Sequence, residues 1–363
     1  MNYSIQHSTS SPAYLQLYQQ IRADIIADIY PYGSKLPSKR TIADDLNIST
    51  VTVEHAYALL SDEGYIEPRE RSGYFVIFRK ADGFSAPPQS SSIQFMPDLS
   101  PIEADFPLSV LTKTMRKVIS TLDSRILERS PNCGCTALRN AIRRYLARSR
   151  SIHAETNQII IGSGAEYLYG LVVELLGRDK TYAIEAPSYQ KIAQVYRTKD
   201  VHLENLPLAH DGIESTALKN CSANILHITP YRSFPSGVTA SASKRHEYLR
   251  WAENGRYIIE DDFESEFSVS KKPEETLFTD TKKDNVIYMN TFSMTISPSL
   301  RAGYMVLPKH LVPIFEEKLG FYSCTVPTFE QYVLAELIEN GDFERHINRV
   351  RRKKRKELKI KEK

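Results

Sequence analysis

Apolar positions in the first eighty residues recur with helical spacing. Tyr14, Leu17, Tyr18, Ile21 and Ile25 fall on one face of a helix that Tyr32-Gly33 breaks. Pro37-Ser38 offers a second start, with Ile42, Ala43 and Leu46 as the apolar side of a short helix stopping at Asn47. Ser49 is the N-cap expected for a third helix. Its Val53, Ala56, Tyr57 and Leu60 form a buried stripe, leaving Thr50, Thr52, Glu54 and His55 toward the open side. Gly64 ends that helix. Tyr65-Ile66 and Tyr74-Phe75-Val76 then flank the charged, glycine-bearing turn Arg69 to Gly73, a pattern that predicts a two-stranded wing.

Residues 79–98 contain Ala86-Pro87-Pro88-Gln89-Ser90-Ser91-Ser92 and no periodicity, which predicts a linker. From about Phe106 the pattern changes again. Leu138, Ile142, Tyr145 and Leu146 mark a helix. Short continuous apolar runs follow at 159–161, 182–184, 225–228, 257–259, 286–289 and 304–307, as strands buried on both faces require. An α/β layered domain is the expectation. The predicted organisation is therefore residues 1–78, a linker at 79–98, a large domain at 99–344 and a basic tail at 345–363.

Composition adds two facts. The +3 formal charge is uneven: residues 345–363 hold eleven Lys/Arg against Glu357 and Glu362, a local +9, leaving the preceding residues at −6. Residues 1–80 hold eight Lys/Arg and nine Asp/Glu, so a nucleic-acid role rests on motif placement and not on bulk charge. The basic end reads as a solvated helix face, with non-specific DNA contact as the alternative. Second, the four cysteines show no Cys-x-x-Cys spacing, and reduced thiols are expected, with no metal site. No long apolar stretch predicts a membrane span: the run from Leu168 to Leu176 is interrupted by Tyr169, Gly170 and Glu174. A cytoplasmic protein is expected.

Three features of the larger part can carry chemistry. Gly162-Ser163-Gly164-Ala165 opens a helix and can offer N–H groups to a phosphate, although a plain glycine turn has the same pattern. Glu260-Asp261-Asp262 follows a strand, where a carboxylate can hold a pyridine nitrogen protonated or merely cap the strand. Arg301 can fork onto a phosphate or make a surface ion pair.

The first part resembles the GntR-type winged helix-turn-helix. The resemblance is carried by Tyr14-x-x-x-Tyr18-x-x-Ile21, Gly33-Ser34-Lys35-Leu36-Pro37-Ser38-Lys39-Arg40, Thr52-Val53-x-x-Ala56-Tyr57 and Glu63-Gly64-Tyr65-Ile66 through Gly73-Tyr74-Phe75-Val76. It implies contact with double-stranded operator DNA through Arg40, Ser49, Thr50, Thr52 and Gly73, with Ser38 capping. Many relatives carry arginine at the position of Thr50.

The second part resembles the aminotransferase-like domain of MocR regulators. Gly162 to Leu168, Glu185-Ala186-Pro187-Ser188-Tyr189, Ile228-Thr229-Pro230 with Phe234-Pro235-Ser236-Gly237, Ile258 to Phe267 and Thr291 to Tyr304 match in order. The implied architecture is an α+β winged helix-turn-helix followed by an α/β fold-type I domain of pyridoxal-phosphate (PLP) transferase type. The resemblance implies that Gly164, Ala165, Thr291 and Arg301 cradle the cofactor's phosphate, that Tyr189 stacks on its ring, and that Asp261 pairs with the ring nitrogen. It also implies a homodimer and a small-molecule effector, either PLP or an amino compound.

Departures from the pattern bear on catalysis. Met294 stands where the family has the lysine that bonds covalently to the cofactor, and a thioether cannot replace an amine. Phe263 stands where the family has a tyrosine donating to the ring's 3-oxygen. Relatives also continue past the position of Lys363 into a small domain with a carboxylate-binding arginine. A catalytically inactive regulator is the expectation; a PLP-dependent aminotransferase fused to a regulator, and a chain that only binds DNA, are the alternatives.

Overall fold

Two serines set the architecture of the first unit. In the computed structural model, Ser38 accepts a hydrogen bond from the Thr41 N–H and Ser49 from the Thr52 N–H, each at 3.1 Å. Each thereby starts a helix with a satisfied N-terminal donor. The structure describes residues 3–6, 11–79, 106–253, 255–263, 265–268, 275–281 and 283–361, with side chains to 357. It divides into two units, Met1–Ser100 and Pro101–Lys363. From Lys80 onward the expected linker lies outside the described residues.

In the first unit, α1 (Ala13–Ile26) packs on α3 (Thr50–Asp62), as does α2 (Lys39–Leu46). Asn47 ends α2 in the left-handed conformation, at φ 50°, which asparagine tolerates. Leu17, Ile21, Ile42, Val53, Tyr57 and Leu60 form the core. Strands β1 (Ile66–Arg69) and β2 (Gly73–Val76) pair antiparallel with Glu67 opposite Phe75, making the wing.

The second unit is an eight-stranded sheet covered by helices. Its strands are β3 (Ile159–Gly162), β4 (Thr181–Ala186), β5 (His202–Ala209), β6 (Gly212–Ile213), β7 (Ile225–Ile228), β8 (Tyr257–Asp261), β9 (Val286–Thr291) and β10 (Gly303–Val306). Their order across the sheet is β3-β10-β9-β8-β7-β4-β5-β6. Strands β5, β4, β7, β8 and β9 are mutually parallel; β10 runs antiparallel to β9 and to β3. It follows that β3, β4, β7, β8 and β9 all end at one edge, the position where open α/β sheets bind ligands.

The helices are α4 (Leu108–Leu122), α5 (Thr136–Ser149), α6 (Ala165–Leu176), α7 (Gln190–Thr198), α8 (Ser215–Asn220), α9 (Ala242–Trp251), α10 (Leu277–Asp280), α11 (Leu311–Leu319), α12 (Thr328–Glu339) and α13 (Asp342–Lys361). None of those described is long and apolar enough to cross a membrane. The expected boundary between residues 344 and 345 falls inside α13. Phe343, Ile347 and Val350 form a buried stripe that seats this helix on the domain, so the basic segment continues a docked helix and is not a separate tail.

Candidate functional site

On the first unit, Arg40 at the start of α2 and Thr50 at the start of α3 are exposed. Ser38 and Ser49 serve as caps, and the Ser49 and Thr52 hydroxyls also share a 2.9 Å hydrogen bond. These two hydroxyls act first on their own helix. Gly73 is exposed in the wing at φ +108°, a conformation that suits glycine, and a Cβ there would come within 3.0 Å of Lys35 Cε. Lys35 thus brings a cation beside the wing turn. Its role is not visible in the periodicity, because the contact is made across 38 positions. Lys39 is paired with Glu54 at 2.7 Å.

On the second unit, the shared strand edge gathers the other expected residues. Gly164, at φ +90°, precedes α6, and no side chain caps the helix N-terminus. A Cβ on Gly164 would lie 3.0 Å from Arg301 Nη2, so the guanidinium sits close against this turn, and the positive φ is a conformation that suits glycine. Ala165, half-buried, is the first residue of α6. Gly303 pairs with Thr291 across the sheet, so the loop between them folds back on itself. Within it, Thr291 Oγ1 donates to the Ala302 carbonyl at 3.1 Å and accepts from the Ser293 N–H at 3.2 Å. Thr291, Ser293 and Arg301 are thereby held near the α6 N-terminus. Met294 lies in the same loop and is 40% exposed.

Sequence periodicity did not reveal Glu166 as a member of this group. Its carboxylate receives Arg301 Nη2 and, at 2.6 Å, Lys191 Nζ. Burial acts to raise its pKa, but the hydrogen bonds from Lys191 and Arg301 outweigh that and hold it below the usual range. An acidic residue in the first turn also suits the helix dipole.

Asp261, only 4% exposed, ends β8 with its carboxylate inside the edge. Tyr169 donates to Asp261 Oδ2 at 2.5 Å, and His227 Nε2 lies 3.5 Å from the same oxygen. The far nitrogen of that histidine, Nδ1, is 2.6 Å from Tyr196 Oη. Tyr169, His227 and Tyr196 were not identifiable from sequence, where they read as ordinary core aromatics. Burial, and then the Asp261 charge, push the Tyr169 phenol well above its usual pKa. Beside it, Glu185 accepts from Ser233 Oγ at 2.6 Å and is pushed up to about 7 by burial, against the opposing pull of that hydrogen bond.

Tyr189 precedes α7, and its ring lies 6.3 Å from that of Phe263 at an interplanar angle of 22°. Phe234 meets the same tyrosine edge-on. Together with Tyr169, Ile192, Thr229 and Asp261 these rings surround a cavity of about 10 Å³. A third ring between Tyr189 and Phe263 needs about 7 Å, two carbon contacts of ~3.5 Å each. Entry of a ring between them therefore requires Phe263 or Tyr189 to shift.

The donors present suit a phosphorylated pyridine at two ends: a glycine-lined helix N-terminus with Arg301 and two hydroxyls for phosphate, and a buried carboxylate for the ring nitrogen. At the remaining positions, Met294 and Phe263 supply no amine and no phenol.

Comparison with known proteins agrees with this division. Residues 13–76 match the family described as bacterial regulatory proteins, gntR family, and residues 103–360 match aminotransferase class I and II. The HTH-type transcriptional regulator YdeL of Bacillus subtilis is 32% identical over 96% of this chain and 78% of its own length. The probable rhizopine catabolism regulatory protein MocR of Rhizobium meliloti is 28% identical over 94% of this chain and 74% of its own. Among solved structures, an archaeal alanine:glyoxylate aminotransferase superposes with a TM-score of 0.62 at 21% identity, over 68% of this chain and 63% of that one, which shows the fold. The chain thus spans less than two thirds of that aminotransferase.

Proposed function

We propose, for a chain that belongs to the MocR-type transcriptional regulators, with a GntR winged helix joined to a class I and II aminotransferase domain, that the second domain senses and dimerises without catalysing transamination. The observation that carries this reading is Met294. A bound pyridoxal phosphate supplies an electron sink, but its use in transamination needs an amine to bond to it and relay protons, and a thioether does neither. In this reading Asp261 accepts a hydrogen bond from the ring nitrogen and keeps it protonated, Gly164, Ala165, Thr291 and Arg301 hold phosphate, and Tyr189 lies against the ring. The rival enzyme reading is favoured by the buried Asp261 and opposed by both Met294 and Phe263. Fold alone confers no activity.

For the DNA face, Arg40, Thr50 and the wing at Gly73 are the proposed contacts, with Ser38, Ser49 and Thr52 fixing the helix starts. Arg40→Ala is expected to weaken binding to all duplex sequences several-fold and to lower the salt slope by about one. Electrophoretic shift titrations at several salt concentrations measure both; unchanged affinity for every duplex would remove Arg40 from the interface.

A homodimer is proposed because paired winged helices read repeated half-sites. Support comes from large apolar side chains left exposed on the second unit: Leu108, Leu127 and Phe321 are 74%, 84% and 72% exposed. Arg129 donates to Ser323 Oγ, tying the segment after Leu127 to the loop that carries Phe321. Light scattering at micromolar concentration should give twice the chain mass of 41.4 kDa. A strictly monomeric species would overturn this part.

A further inference from the structure

We propose that this site takes phosphorylated pyridines without regard to the group at ring carbon 4, so that aldehyde, primary amine and alcohol forms bind alike. The inference rests on the reading above that the second domain holds such a cofactor without a covalent bond. It adds a specificity to it and makes Met294 the residue that sets that specificity.

The recognition elements are grouped by chemistry. Gly164, Arg301, Thr291 and Ser293 converge where a phosphate is common to all three forms. Asp261, fixed by Tyr169 at 2.5 Å with His227 behind it, addresses the ring nitrogen, also common to all three. The side chain expected to face the variable group is Met294, which presents no strong hydrogen-bond donor or acceptor, whereas Phe263 stands toward the 3-oxygen that all three forms share.

Discrimination follows from what is left unpaired. A site built to hydrogen-bond a substrate group rejects an analogue lacking it by about 10⁴–10⁵, whereas an apolar wall rejects an added hydroxyl by only about 10². Here even that weaker rejection is relaxed. Met294 is 40% exposed, so a hydroxyl or ammonium beside it keeps its contact with water and bears little desolvation cost. A lysine at this position would bond to the aldehyde alone and so select it. With methionine there, the domain responds to the whole phosphorylated pyridine pool and not to its carbonyl form.

The test uses the full chain and isothermal titration with pyridoxal 5′-phosphate, pyridoxamine 5′-phosphate and pyridoxine 5′-phosphate, with unphosphorylated pyridoxine as the control. Dissociation constants for the three phosphates should agree within about tenfold, and the control should bind at least about tenfold more weakly. Asp261→Asn should weaken all three together, while Met294→Lys should tighten the aldehyde alone. If the native chain binds the aldehyde more than about 100-fold better than the amine and the alcohol, the inference is overturned and the non-covalent pocket stands. If neither the native chain nor Met294→Lys binds any of the three while both still bind DNA, the cofactor reading itself fails. Binding of the aldehyde by Met294→Lys alone would show that the pocket depends on the covalent bond, and would overturn both.

Discussion

Met294→Lys converts a chain that borohydride leaves unlabelled in the presence of pyridoxal phosphate into one carrying a stable label at residue 294. The loop that presents residue 294 is already ordered for the purpose. Thr291 ends β9 opposite Gly303, its hydroxyl bonds the Ala302 carbonyl, and Ser293 bonds back to Thr291, so residue 294 leaves a fixed turn three positions from the proposed phosphate cradle. At 40% exposure the position accepts a lysine with little cost to stability, on the order of 0.5 kcal/mol or less. Turnover of amino acids should stay feeble, because Phe263 still offers no phenol. Peptide mapping after reduction reads the result. A label on another lysine of the native chain would refute the non-covalent reading, and an unlabelled variant would leave DNA binding as the remaining function of the chain.

The parts of this architecture that were legible in the sequence are those whose signal is local. Val53, Ala56, Tyr57 and Leu60 repeat at helical spacing and are all fully buried on one side of α3. The six apolar runs read as strands correspond to β3, β4, β7, β8, β9 and β10, which are buried on both faces. Strand β5 gave no such signal. It lies near the edge of the sheet, its burial is mixed and Pro207 interrupts it, so neither a continuous nor a cleanly alternating pattern arises. Strand β6, of two residues, is too short for any period. The candidate site follows the same division. Gly164 and Arg301 were identifiable as isolated features, but their mutual approach depends on β10 lying beside β3, and the capture of Arg301 by Glu166 depends on that approach. Tyr169, His227 and Tyr196 look like core residues from sequence because Tyr169 and His227 meet Asp261, and Tyr196 meets His227, only through tertiary packing.

The largest loss of stability is expected from a residue that no motif singled out. Arg150 closes α5 in a run, Arg148-Ser149-Arg150, that reads as a polar helix end. Its side chain is nevertheless only 8% exposed and donates to Asp262 Oδ2 at 2.6 Å, while the Asp262 side chain is fully buried. Tyr288 donates to the same oxygen at 2.6 Å, and Asn290 carries the network to Glu266. Burial, and then the Asp262 charge, push Glu260 up to about 8 and raise Glu266 as well, with the Arg150 charge opposing both shifts. This guanidinium therefore compensates a group of buried carboxylates. Arg150→Met removes the guanidinium that pairs with the buried Asp262, a loss of about 3–5 kcal/mol against a total stability of about 5–15 kcal/mol. Trp251, the single tryptophan, lies in this domain, so its fluorescence during urea unfolding reports the affected unit. With a slope of about 1–3 kcal/mol per molar, the midpoint should fall by at least about 1 M. Adding Asp262→Leu should recover much of the loss, because replacing both members of a buried pair removes the uncompensated charge. A midpoint unchanged in the single variant would mean that water reaches Asp262 and that the pair does not hold the domain together.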